Sequence, residues 1–188
     1  MNSQDPEVTE ASLAAAAPSR PDDAVALVLV NLGTPSAPEP GPVRSFLREF
    51  LSDRRVIEMN PFLWKPILEG IILRVRPREV SRKYRSIWLE QGSPLMHYTR
   101  EQTRLLSERL PGVRVEVAMR YGQLSIGAAL DRLHAQGVRR VTVLPAYPHY
   151  SATTVASIND AVCAWIGRNR DGFEMRLHRS FPASPAYI

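Results

Sequence analysis

Apolar and polar positions along the 188-residue chain alternate between short continuous runs and helical stripes. Val25-Ala26-Leu27-Val28-Leu29-Val30 is near-continuously apolar, the pattern of a strand buried on both faces, and predicts a strand over residues 25–31. Gly33, Pro35, Pro38, Pro40 and Pro42 then demand a loop, because proline lacks an N–H and steers its predecessor away from helical angles. Val43, Phe46, Leu47, Phe50 and Leu51 follow at i, i+3, i+4, i+7 spacing and predict an amphipathic helix. Over residues 61–73 the apolar surface is wide, with Phe62, Leu63, Trp64, Ile67, Leu68, Ile71 and Ile72. Such width marks a helix buried on several sides or a lip that touches a hydrophobic ligand or a membrane. Burial is the expectation, as the commoner cause.

Further along, a helix is predicted over residues 80–88, and Gln91-Gly92-Ser93-Pro94 marks a turn. Thr99 and Gln102 have capping-box spacing and predict a helix opening there and running to Leu110, before Pro111-Gly112. Val113, Val115 and Val117 alternate with Arg114 and Glu116 in a strand over residues 113–119. Ser125 is placed to cap a helix carrying Ile126, Ala129, Leu130 and Leu133 and ending at Gly137. Residues 138–144 read as a strand, 153–168 as a helix and 173–180 as a last strand. This alternation predicts an α/β fold: a doubly wound parallel sheet with helices on both faces. Ligands in such folds bind beyond the carboxyl ends of the strands, so the loops after Val30, Met119 and Leu144 are the expected functional surface.

Composition narrows the class. Hydrophobic residues at 44% and charged residues at 23% describe a globular domain, and the length suits one domain. The net charge of +5 admits anionic partners. Its densest cluster, Arg74, Arg76, Arg78, Arg82, Lys83 and Arg85, lacks the interleaved aromatics of a single-strand binding surface. Nucleic acid is therefore not expected, and the cluster suits a carboxylate. The single cysteine, Cys163, excludes an internal disulfide and a Cys-rich metal cage, agrees with a cytoplasmic location, and sits in an apolar run that suggests a buried thiol. No apolar stretch is long enough to span a membrane, and residues 1–24 read as a disordered tail without signal-peptide character. His97, His134 and His178 lack metal-ligand spacing and read as surface or capping residues.

The loop after the first strand is no dinucleotide fingerprint, because Gly33 stands alone among prolines with no helix directly behind it. Six blocks occur instead, in order: Val30-Asn31-Leu32-Gly33-Thr34-Pro35, Phe50-Leu51-Ser52-Asp53, Tyr84-Arg85-Ser86-Ile87-Trp88, Gly92-Ser93-Pro94-Leu95, Met119-Arg120-Tyr121-Gly122, and the run from Leu144-Pro145-Ala146-Tyr147-Pro148-His149 to Tyr150-Ser151-Ala152-Thr153-Thr154. In order and spacing they resemble the N-terminal half of bacterial ferrochelatases, over about residues 25–188. The resemblance implies one half of a two-domain chelatase fold and a role in inserting Fe²⁺, as substrate, into a porphyrin with two propionates to form heme. It further implies that Leu32, Arg76, Tyr84, Ser93, Tyr147 and His149 contact the porphyrin, with Arg74 an alternative to Arg76. A histidine at position 149, where the family more often has Gln, puts a metal or proton role for it in doubt. Ala152 stands where cluster-bearing members have cysteine, so no iron–sulfur cluster and no bound cofactor are expected. The family's catalytic histidine and its acidic partner lie downstream of this chain. The expectations are therefore no catalytic residue within it, no chelation by it alone, and a C-terminal domain that is absent or separately encoded. Two alternatives stand beside that reading: a porphyrin-holding half-domain without catalysis, and a cobalt-inserting relative. Peripheral membrane contact by the helix over residues 61–73 is a further expectation.

Overall fold

β1 (Val25–Thr34) is the axis of a four-stranded sheet in the order β2-β1-β3-β4, with every pairing parallel. The partners are β2 (Val113–Gly122), β3 (Arg140–Pro145) and β4 (Glu174–Leu177). This is a computed structural model and it describes residues 25–188. The expected tail, residues 1–24, lies outside them. The α/β doubly wound reading holds.

β1 is apolar throughout because both its faces are covered. Ala26, Val28 and Val30 share a core with Leu130 and Leu133 of α5 (Ile126–Ala135) and with Ile158, Val162 and Trp165 of α6 (Ser157–Ile166). The opposite face takes α4 (Pro94–Arg109), packed over β1 and β2. A second core caps the carboxyl end of the sheet. There α1 (Pro40–Ser52) packs Val43, Phe46, Leu47 and Leu51 against Leu68, Leu73 and Tyr121. Ser125 caps α5 as expected, accepting from the Ala128 N–H at 3.3 Å.

Several expectations need correction. α1 begins at Pro40, with prolines in its first turn, where the absent N–H has no intrahelical partner to lose. The two helices predicted between residues 61 and 88 run into each other as α2 (Pro61–Ile67), a π turn at Leu68–Ile72 and α3 (Leu73–Ile87). Pro66 and Pro77 lie inside that rod, which holds because Leu68, Leu73, Pro77 and Ser81 are buried, Ser81 Oγ donating to the Pro38 carbonyl. α4 opens at Ser93-Pro94, not at a Thr99 capping box. Thr99 lies inside the helix and donates to the Leu95 carbonyl at 2.7 Å.

The rod over residues 61–75 is not buried all round: Phe62 is 90% exposed, and Leu63, Ile71 and Val75 are also exposed. It is an apolar lip. Cys163 is exposed too, since the buried face of α6 is taken by Ile158, Val162 and Trp165. His134 is no surface residue. Its ring is half-buried between Trp165 and Phe173, with Nε2 shielded from solvent and unpartnered.

Candidate functional site

The crevice at the carboxyl ends of β1 and β2 is shaped by a close approach of backbone. Gly33 has φ 111° and faces Tyr121 across the β1–β2 pairing, while Gly122 has φ 82° and faces Thr34. A Cβ on Gly33 would stand 1.9 Å from the Tyr121 carbonyl oxygen, so glycine is the residue that fits.

That turn directs side chains into a pocket of about 430 Å³ between β1, the end of α3 and the start of α4. Thr34, nearly fully buried, donates to Ser93 Oγ at 2.8 Å. Asn31 Nδ2 donates to Thr99 Oγ1 at 3.1 Å, and Asn31 Oδ1 accepts from the Leu32 N–H at 2.8 Å. Tyr84 closes one wall, its ring edge-on to Trp88, and Tyr98 lines the mouth at 60% exposure. Burial raises the Tyr84 phenol, with a hydrogen bond to Thr34 opposing the rise. Walls of aromatic and aliphatic groups with a few directed hydroxyls and amides suit a largely apolar ligand bearing polar substituents.

Of the residues expected from sequence, Tyr84 and Ser93 meet in this pocket. Leu32 packs on the core that caps the sheet, and Tyr147 packs against the core beneath α5 and α6. The Tyr147 phenol is pushed up to about 12 by burial, with the Leu32 backbone opposing, and its hydroxyl has no well-formed hydrogen bond. Arg76 is exposed on α3, as is Arg74, and neither lines the pocket. His149 is exposed and lies edge-on to Tyr187, with ring centroids 5.9 Å apart.

Sequence reasoning gave no ligand-binding role to Asn31, Thr34, Tyr98 or Thr99, and missed a buried polar hub at the carboxyl end of β2. Asp53 Oδ2 accepts from Arg120 Nη2 and from the Tyr121 hydroxyl, each at 2.7 Å, and from Ser157 Oγ. Its Oδ1 accepts from the Arg55 N–H. Burial alone would raise the Asp53 carboxyl; hydrogen bonds from Ser157, Tyr121 and Arg55 and the Arg120 charge outweigh it and hold the group below the ordinary carboxylate range. Arg120 also donates to the Ser157 carbonyl at 3.0 Å. The hub thus ties the ends of α1 and β2 to the start of α6. Asp53, at the end of α1, and Arg120-Tyr121, in β2, stood inside two of the six blocks, and those blocks were the available signal.

Comparison with known proteins follows the same boundaries. The family model described as Ferrochelatase matches residues 24–188. Ferrochelatase 1 of Shewanella oneidensis is 47% identical over 173 residues, covering 89% of this chain and 52% of that protein. The coproporphyrin III ferrochelatase of Symbiobacterium thermophilum is 50% identical over 165 residues, covering 87% and 52%. The ferrochelatase of Methylibium petroleiphilum is 48% identical over 167 residues, covering 87% and 46%. The chain spans about half the length of these relatives.

Proposed function

The chain belongs to the ferrochelatase family, and on that premise we propose that its strand-end pocket holds one side of a porphyrin for the insertion of ferrous iron, a lyase step in heme formation. The observation that carries this reading is the convergence of Tyr84, Thr34 and Ser93 at the pocket between β1, α3 and α4. Tyr84, Tyr98 and Ile87 offer flat or aliphatic contact to a macrocycle, while the Thr34, Ser93 and Asn31 polar atoms meet carboxylate or edge groups. Arg74 and Arg76 stand on α3 as exposed cations for a propionate that projects from the mouth.

Metallation also requires a base to remove two pyrrole protons. The residues lining this pocket are amides, hydroxyls, aliphatic groups and phenols, and the Tyr84 phenol is raised rather than lowered. The 188-residue polypeptide by itself therefore binds porphyrin without inserting metal.

Absorbance titration of deuteroporphyrin with the purified chain tests both statements. A saturable Soret shift is expected, with no metalloporphyrin formed when Fe²⁺ or Zn²⁺ is added. Tyr84→Phe and Ser93→Ala should each weaken binding about five- to tenfold, the loss of one hydrogen bond of roughly 1–1.4 kcal/mol. No Soret change at any protein concentration would refute the assignment. The name of the Symbiobacterium relative favours a second substrate reading, coproporphyrin III. Tighter binding of coproporphyrin than of deuteroporphyrin would select it.

The apolar lip adds peripheral membrane contact to the proposal. Phe62, Leu63, Ile71 and Val75 are exposed together, with the exposed cations Lys65, Arg74, Arg78 and Arg82 along the same rod. Among the described residues no helix is long and apolar enough to cross a membrane, so the contact is with a surface. Flotation with phosphatidylglycerol-containing vesicles should recover the chain. Phe62→Ser with Leu63→Ser should lower partitioning by roughly tenfold or more, since two partly buried apolar side chains contribute more than about 1.4 kcal/mol. Equal flotation of the double variant would contradict the contact.

A further inference from the structure

We infer that Glu49 is a positioning residue for the porphyrin pocket: from α1 it fixes the end of β2, and through that backbone it sets the Thr34 hydroxyl that bonds Ser93. The inference rests on the porphyrin reading of that pocket. Glu49 itself does not line the pocket, so its effect has to pass through other residues.

One side of α1 grips the strand end. Phe46, Glu49 and Phe50 of the helix and Asp53 at its C-cap fall at i, i+3, i+4 and i+7, the spacing that places side chains along one side. What that side meets is Tyr121-Gly122. The Phe50 ring stands edge-on to Tyr121 with centroids 5.2 Å apart, and Asp53 accepts the Tyr121 hydroxyl at 2.7 Å. Phe46 Cδ2 would lie 3.8 Å from a Cβ on Gly122. Of the four, Glu49 binds the strand's backbone, its Oε2 accepting the Gly122 N–H at 2.8 Å.

That backbone is in direct contact with the pocket wall. Gly122 pairs with Thr34, and a Cβ on Gly122 would lie 2.6 Å from the Thr34 carbonyl oxygen. Gly122 sits at φ 82°, the turn out of β2, and without Glu49 its N–H turns to water. Thr34 and Ser93, 4% and 5% exposed, share a 2.8 Å hydroxyl bond, and the Tyr84 phenol bonds Thr34 as well. A displacement of the Thr34 backbone is therefore felt by both pocket groups that face the ligand, because placement and hydrogen-bond strength depend on such small distances. Glu49 is exposed, so its loss leaves both cores intact. Positioning can thus be read apart from folding.

Soret titration with deuteroporphyrin reads the effect. Glu49→Ala should weaken binding about three- to tenfold with a urea midpoint close to the wild type, the consequence of one lost hydrogen bond. Glu49→Gln, whose amide oxygen still accepts the N–H, should bind within about twofold of the wild type. Arg44→Ala, exposed on the same helix, should bind as the wild type does. In a Ser93→Ala background, Glu49→Ala should add little further loss, because it acts through the Thr34–Ser93 bond; a general loosening would multiply the two losses. The Gly122 amide should exchange faster in Glu49→Ala and at the wild-type rate in Glu49→Gln, with no porphyrin present. Equal weakness of the Ala and Gln variants, multiplied losses, or failure of Glu49→Ala to fold overturns the inference. A wild-type chain that binds and is weakened by Tyr84→Phe, with Glu49→Ala unaffected, overturns the inference alone. A wild-type chain without a Soret shift overturns the porphyrin reading and the inference with it.

Discussion

Replacing Gly33 by alanine is expected to remove about 4 kcal/mol or more of folding stability, a large share of the roughly 5–15 kcal/mol typical of a domain. Two effects combine. The backbone sits at φ 111°, which an L side chain adopts at a cost of about 1–3 kcal/mol. The new Cβ would also lie 1.9 Å from the Tyr121 carbonyl oxygen, an overlap that only separation of β1 from β2 relieves. Separation breaks the pairing that shapes the pocket. At roughly 2–4 °C per kcal/mol for a chain of this size, the midpoint should fall by about 8–16 °C. Gly112→Ala isolates the conformational part, because that residue has φ 87° and open space around it; a loss of about 1 kcal/mol is expected. Equal losses for the two variants would show that the backbone contact is not as described.

Asp53→Ala is the second large effect, expected to cost about 3 kcal/mol. Three side-chain donors converge on one carboxylate that is 8% exposed, and its removal leaves Arg120, 20% exposed, without its acidic partner. An exposed pair provides the contrast. Asp160→Ala breaks the Arg55 bridge, where both side chains are about half exposed, and should cost less than about 1 kcal/mol. Urea unfolding of the two variants measures the difference. The pH dependence has a definite sign. The folded Asp53 carboxyl titrates below its unfolded value of about 3.9, so its stabilisation is complete above that pH and disappears as pH falls through the folded value. The wild-type chain should therefore lose stability more steeply in acid, below about pH 4, than Asp53→Ala. Parallel acid profiles would remove Asp53 from the account.

The strands and the outer helices were legible in the sequence because local pattern and tertiary environment agree there. The apolar run at the start of β1 belongs to a strand covered on both sides, and Ser125 caps α5 by a contact three residues away. Boundaries failed where prolines permit two outcomes. Pro40 and Pro42 occupy a helix's first turn rather than a loop, and Pro94 sits at the start of α4, which the Thr99–Gln102 spacing had placed too late. Burial of the rod over residues 61–75 was misjudged because width of an apolar stripe does not say what lies against it. Cys163 and His134 were misassigned for a related reason: each belongs to a helix whose buried face is fixed by packing, with Trp165 taking the inner position and sheltering the His134 ring.

Site residues divide along the same line. Tyr84 and Ser93 come together because the end of α3 and the start of α4 meet at the β1 turn, a juxtaposition that no local pattern announces. Arg76 and His149, placed by the resemblance alone, lie on exposed surfaces outside that pocket. The side-chain bonds of the Asp53 hub join residues 36 to 104 positions apart, far beyond any window over which periodicity is read.

Hydrogen exchange of the 188-residue chain with and without a saturating dicarboxylate porphyrin is the most direct measurement of where the macrocycle sits. Slowed exchange should concentrate at the backbone amides of residues 31–34, 84–88 and 95–99, where β1, α3 and α4 meet. Protection confined to the α5 and α6 side of the sheet, with those three segments unchanged, would contradict a tetrapyrrole cleft at the strand ends.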